Sequence, residues 1–200
     1  MAVPEKYIGV TFPGSTFPDA SYKTVNVVLN PTIINEYIPA LQRALPNGPK
    51  GFHLLLTAMT HQEGFKAGTR SYRTNNPGNI GNTDSGANKT LAKLEDGILL
   101  QAQYVNDIIA GKKSAYPMGK EVTIKPFFSE EIAKNPQYGL PANLPGYKFT
   151  FTGQLDQYVK IYATGARATN SYINTIVSYF KANGLTITPE STLQDIIKMA

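Results

Sequence analysis

The sequence predicts a mainly helical, α+β protein built around one buried helix. Residues 49–63 carry apolar side chains over most of a helical surface, a pattern typical of a helix in the middle of a domain. Segments at 95–109, 155–162 and 170–183 are apolar on one helical face only, which indicates helices that cover a core. Turn-forming residues at 81–89 interrupt the helical pattern and predict the tip of a small β-hairpin.

The central helix is predicted to run from Pro49 to Glu63. Proline is tolerated at the first helical position, because its missing N–H would have no partner there. Apolar residues then recur at the spacing of one helical face: Phe52, Leu55, Leu56 and Met59. Glu63 continues this stripe, and Gly64 can supply the left-handed residue that often ends a helix.

Glu63 is therefore the leading candidate for chemistry. Apolar neighbours disfavour a charged carboxylate, and so does the negative end of a helix dipole. Both effects favour the protonated form that a general acid needs. The alternative is a solvated structural glutamate at a frayed helix end, paired with Arg70 or Arg73.

Two segments around this glutamate carry a family likeness. Residues 61–65 (HQEGF) and 72–80 (YRTNNPGNI) resemble the catalytic segment of lysozyme-like peptidoglycan glycosidases of phages and bacteria. Residues 162–164 (YAT) and 170–173 (NSYI) are similar to a later segment of those enzymes. The likeness covers roughly residues 49–184, and Thr164-Gly165 departs from it where the family usually has proline.

The resemblance implies a fold, a reaction and a set of site residues. The fold would be a lysozyme-like domain at 31–200 preceded by an extended arm at 1–30, with the hairpin within 78–94. The reaction would be cleavage of the β-1,4 bond between N-acetylmuramic acid and N-acetylglucosamine in peptidoglycan glycan strands, with Glu63 as the general acid. The side chains expected to bind substrate are Arg73, Asn75, Asn76, Asn79, Tyr162, Asn170 and Tyr172. For the three loop asparagines turn formation is an equal alternative, and Tyr162 could equally be a core residue.

A second carboxylate would decide how the bond is broken. Asp84 is the best candidate, because it lies in the predicted hairpin tip in a polar setting, although aspartate is also a common turn residue. With Asp84 as a partner the enzyme would be a hydrolase, which is the preferred interpretation. Without a partner, Glu63 alone would serve a lytic transglycosylase that leaves 1,6-anhydro products. A non-catalytic module that binds the cell wall or builds a virion is the competing class.

The remaining elements follow from local signals. The arm is predicted to hold one strand at 24–29, and a helix that starts after Asn30 is predicted to bend at Pro39. Residues 114–151 predict a long irregular connection beside the groove. Asn170 or Thr169 is predicted to cap the penultimate helix, and a capping box at 191–194 is predicted to start the last one.

Composition excludes several other functions. The 200 residues contain two histidines and no cysteine, which argues against a zinc site, and we expect no metal or cofactor. The net charge of +5 suits anionic partners, but the lysines are scattered and no nucleic-acid motif occurs. We expect a monomer that does not insert into membranes. The N-terminus lacks a signal-peptide pattern, so reaching the periplasmic wall would require holin-type release or delivery in a virion.

Overall fold

A computed structural model describes residues 22–81, 88–124, 147–162 and 166–200, with the backbone alone described at 124, 147 and 166–170. Roughly half of the described residues are helical and one small sheet is present, which confirms the mainly helical α+β class. The α-helices are α1 (Ile38–Ala44), α2 (Lys50–Gln62), α3 (Arg70–Arg73), α4 (Leu94–Ile109), α5 (Leu155–Tyr162), α6 (Ala166–Ala182) and α7 (Leu193–Ile196). The strands are β1 (Glu121–Ile124) and β2 (Tyr147–Thr150). None of the helices described has the length and apolar character to span a membrane.

Helix α2 is the buried central helix that the sequence predicts. Pro49, the predicted first residue, forms its N-cap, so the helix begins one residue later, and Glu63 forms its C-cap. Every residue from Leu54 to Thr60 is buried, and Gly64 follows with φ +68°. The helix packs chiefly against α6, with α7 and the segment before α1 on other sides.

The helix before α2 is distorted as the sequence indicates. Asn30 accepts a hydrogen bond from the N–H of Ile33 and starts it. A π-helical segment, Ile33–Tyr37, then leads into α1, with Pro39 in the first turn of α1. Proline lacks an N–H and its ring crowds the carbonyl four residues earlier, so a locally wider helix relieves the conflict.

The sheet lies elsewhere than predicted. Residues 78–81 and 88–93 form turns and irregular chain, and Leu94 already begins α4, so the described residues of the predicted hairpin within 78–94 contain no strand. The antiparallel strands β1 and β2 instead pair across the segment read from sequence as a long connection. The sequence did not predict these two short strands, because the segment is rich in Tyr, Pro and Gly and because the strands pair with each other over a long sequence separation. The tip of the predicted hairpin, 82–87, lies outside the described residues.

Two local predictions at the chain ends also need correction. The arm at 24–29 is not a strand; it is an extended chain laid along α6, where Lys23 N donates to Asn174 Oδ1 (3.0 Å) and Val25 N to Ser178 Oγ (3.0 Å). The last helix is capped by Thr192, whose hydroxyl accepts from the N–H of Asp195. The N-cap thus lies one residue later than predicted, and the Thr192 hydroxyl also donates to Asp195 Oδ2 at 2.6 Å.

Candidate active site

Glu63 stands where the central helix ends. Its N–H still bonds to Met59 O (2.9 Å), and Gly64 then turns the chain away from the helix axis. Glu63 itself is half-buried between the core and an open cleft. The helix therefore supplies a rigid base for one carboxyl group that reaches solvent.

Two neutral groups hold that carboxyl group. Asn79 donates from Nδ2 to Glu63 Oε2 at 2.9 Å, and the Tyr172 hydroxyl donates to Oε1. These two hydrogen bonds orient the carboxyl group. When the group is ionised, both donors stabilise it.

Tyr172 reaches Glu63 from helix α6 and is buried. Burial raises the pKa of the Tyr172 hydroxyl, and the nearby Tyr162 and Glu63 add to this effect. The hydroxyl therefore keeps its proton and remains a donor throughout the usual pH range. Gln62, next to Glu63, links α2 to α6 by donating a hydrogen bond from Nε2 to Ser171 O at 2.9 Å.

Asn79 is placed by the loop that follows α3. It adopts φ +50°, a left-handed conformation that asparagine tolerates better than most residues. Its N–H bonds to Asn76 O at 3.0 Å, closing the turn that aims the side chain at Glu63. Of the three predicted loop asparagines, Asn79 is the one that reaches the site.

Asn75 and Asn76 build the loop. Asn76 is fully buried; its amide accepts from the N–H of Ile80 and donates to Ile80 O and Lys89 O. Asn75, at φ +51°, donates to Leu91 O at 3.1 Å. Both amides bond to backbone carbonyl groups of the loop, as turn formation requires, and contact of these two residues with sugar stays a prediction.

The loop is also pressed against helix α4. A side-chain carbon added at Gly97 would lie 1.8 Å from Asn75 O, so only glycine permits this approach. Below it, Gln101 is fully buried and its Oε1 accepts hydrogen bonds from Tyr37 (3.0 Å) and Thr60 (3.3 Å). The polar cluster ties α4 to the central helix one turn before Glu63.

Glu63 lines a cleft with a volume of about 540 Å³. Tyrosine rings form much of its wall, and Tyr162 fixes its place by donating to Gly78 O at 2.9 Å. The Tyr162 ring meets those of Tyr104 and Tyr172 edge-on, with centroids 6.4 and 5.7 Å away. The lining residues are Glu63, Arg70, Asn79, Ile80, Gly81, Tyr104, Ala115, Tyr116, Ile161 and Tyr162.

The cleft includes residues that sequence reasoning missed. Arg70 lines it, whereas the predicted Arg73 is exposed and donates to Gly68 O instead. Tyr116 also lines the cleft, and it belongs to the 114–151 segment that the sequence places beside the groove. Tyr104, on α4, lines the cleft without having been predicted as a site residue.

Two further predicted residues have separate outcomes. Asn170 is the fifth residue of α6, so it does not cap that helix; the helix begins earlier, at Ala166, than its apolar stripe suggests. The Asn170 side chain and all of Asp84 lie outside the described part of the chain. Both stay predictions as site residues.

The described residues contain no group of three or more acidic, histidine or cysteine side chains suited to a metal ion. Comparison of the chain with protein-family models, curated proteins and solved structures gave no match.

Proposed function

We propose that the chain is a lysozyme-like glycosidase that cleaves the β-1,4 bond between N-acetylmuramic acid and N-acetylglucosamine in peptidoglycan. One observation carries the proposal: a single carboxyl group, at the end of a buried helix, is held by two neutral donors at the mouth of a tyrosine-walled cleft. A general acid that acts on an exposed polymer requires a fixed position and access from solvent.

Glu63 would donate its proton to the glycosidic oxygen as the bond to the sugar breaks. The carboxylate that remains accepts hydrogen bonds from Tyr172 and Asn79, which lowers the cost of giving up the proton. The Tyr104 and Tyr162 rings present flat, partly apolar faces suited to sugar rings.

Whether water or the substrate completes the reaction depends on a second group. A retaining hydrolase needs a carboxylate ~5–5.5 Å from the acid, and an inverting one needs a base at ~6.5–9.5 Å. Asp84 is proposed for this role, with hydrolysis as the first choice. The second candidate is lytic transglycosylation, favoured by the finding that Glu63 is the one acid among the described residues of the cleft wall.

A digest of purified sacculi, with products identified by mass, tests the proposal. Hydrolysis gives reducing N-acetylmuramic acid ends, and transglycosylation gives 1,6-anhydro ends that are lighter by one water. Near-full activity of Asp84→Asn together with anhydro products would establish the second candidate. Absence of any glycan cleavage by the folded wild-type protein would exclude both and favour a binding module.

Glu63→Gln tests the acid itself. Loss of a general acid costs about 10²–10⁴-fold in rate. Glu121→Gln is the matched control, because Glu121 is an exposed partner of Lys148 on the sheet and does not line the cleft. Glu63→Gln protein that keeps more than about a tenth of the control's rate would contradict the assignment.

A further inference from the structure

Gln62 connects the helix that carries Glu63 to the helix that carries Tyr172. It is the last residue of α2, and its side-chain amide reaches two residues of α6. The amide nitrogen Nε2 donates to Ser171 O at 2.9 Å and to Ser171 Oγ at 3.1 Å, and the Thr175 hydroxyl also accepts a hydrogen bond from it. The proposed chemistry assigns no role to this amide.

The two residues that accept these bonds lie on either side of Tyr172 in the sequence. Ser171 directly precedes it, and Thr175, which is buried, lies one helical turn after Ser171 on the same face of α6. A side chain that contacts both residues restrains α6 from sliding along its axis and from rotating about it. Apolar packing restrains these motions less strictly, because it is non-directional, whereas a hydrogen bond requires a defined distance and angle.

The Tyr172 hydroxyl depends on this alignment more than the helix backbone does. It lies at the end of a long side chain, so a small rotation of α6 moves the hydroxyl farther than it moves the backbone. Because O–H···O hydrogen bonds span about 2.5–3.0 Å, a shift of about 1 Å would break its bond to Glu63 Oε1. Glu63 in turn moves with α2, since it directly follows Gln62 and its N–H bonds to Met59 O at 2.9 Å.

We propose that Gln62 is a positioning residue, which aligns the Tyr172 hydroxyl with Glu63 by holding α6 in register with α2. This inference rests on the proposed function, in which that hydroxyl stabilises the ionised acid. Gln62 is not among the residues that line the cleft. Its effect on catalysis therefore passes through Tyr172.

The test compares two variants with a matched control. Gln62→Leu removes the amide with little change in side-chain size, and Thr175→Val, a milder change, removes one acceptor and keeps the branched shape. Gln103→Leu is the control, because Gln103 also directly precedes a cleft residue, Tyr104, but donates within α4, to Asp107 Oδ1 at 2.7 Å. Thermal melting verifies that each variant is folded, and kcat and KM are measured on soluble peptidoglycan fragments well below the melting temperatures.

We expect Gln62→Leu to lower kcat about three- to tenfold, in line with the loss of one hydrogen bond to the acid. KM should stay unchanged, because misalignment at the acid slows the chemical step and leaves binding alone. Thr175→Val should lose less, and Gln103→Leu should match wild type. In a Tyr172→Phe background Gln62→Leu should cause no further loss, since two residues that act through one contact are not additive.

A spectroscopic measurement tests the alignment without catalysis. The isotopically labelled Cζ carbon of Tyr172, assigned as the resonance missing from Tyr172→Phe, senses the hydrogen bond of the adjacent hydroxyl. Glu63→Gln gives the position of this resonance when the carboxyl partner is replaced. The resonance should move toward that position in Gln62→Leu and stay in place in Gln103→Leu.

Three results would overturn the inference: a wild-type kcat in Gln62→Leu, a loss that persists in the Tyr172→Phe background, or an unmoved Tyr172 resonance. If Gln62→Leu does not fold, the kcat and the resonance of Thr175→Val decide. If the wild-type protein cleaves no glycan while the resonance moves as expected, the proposed glycosidase fails and the alignment of Tyr172 by Gln62 stands.

Discussion

Replacing Gly97 by alanine tests whether the packing of the loop against α4 sets the site. In an exposed helix, alanine for glycine stabilises by about 1 kcal/mol. At Gly97 the new carbon would lie 1.8 Å from Asn75 O, whereas ordinary contact begins at 3.4 Å, so the carbonyl would have to retreat by about 1.6 Å. Overpacking typically costs about 1–3 kcal/mol of stability. A clash with the backbone should cost about 3 kcal/mol or more, because backbone atoms cannot move aside as a side chain can. We expect a net destabilisation of about 2 kcal/mol, hence a melting temperature lower by about 4–8 °C.

The functional consequence follows from where the loop would move. Asn75 directly precedes the turn that Asn76 and Asn79 close, so displacing Asn75 should shift the Asn79 amide that holds Glu63. A misplacement of about 1 Å can cost on the order of 10²-fold in rate. We expect the sacculus-digestion rate of Gly97→Ala to fall at least about tenfold, measured well below its melting temperature.

Gly51→Ala is the matched control. Its added carbon would lie 2.1 Å from Ile196 O, a comparable clash between a helix and a backbone carbonyl. Gly51 is twelve residues before Glu63, however, which places it about 18 Å away along the helix. Gly51→Ala should lose stability but keep its rate. A Gly97→Ala protein more stable than wild type, or one as active as Gly51→Ala, would refute the reasoning.

Two other predictions concern the groups near Glu63. Tyr172→Phe removes the donor to Oε1 and should lower the maximal rate about tenfold with little change in melting temperature, whereas Tyr179→Phe on the same helix should not; equal rates for the two would contradict this. Burial lowers the pKa of His61 below 6.5, and its buried Nδ1 has no partner among the described residues, so the folded protein binds fewer protons here than the unfolded chain. The stability that this group contributes is present above pH 6.5 and is lost as pH falls through the folded-state pKa. The urea midpoints measured at about pH 5 and pH 7.5 should therefore differ less for His61→Gln than for wild type. The same difference in both proteins would contradict this prediction.

The central helix could be predicted because its signals are local. The apolar stripe, Pro49 at the start and Gly64 at the end all act within a few turns, and helix geometry then fixes Glu63 at the C-terminal end. The one-sided apolar patterns of α4, α5 and α6 were readable for the same reason. Strands β1 and β2 were not, since pairing between residues more than twenty positions apart leaves little trace in either segment alone.

The sequence by itself determined that an acid ends a buried helix and that an asparagine-rich turn follows it. Only the tertiary structure decided which groups contact that acid. The two donors, Asn79 and Tyr172, lie 16 and 109 residues after Glu63 in the sequence. The tertiary structure also shows that Asn79 contacts Glu63 whereas Asn75 and Asn76 bond within the loop, and that Arg70 lines the cleft whereas Arg73 is exposed. Residue type alone cannot make these distinctions. The physical reason is that a side chain's direction depends on the backbone torsions of its own turn and on the helix against which that turn packs.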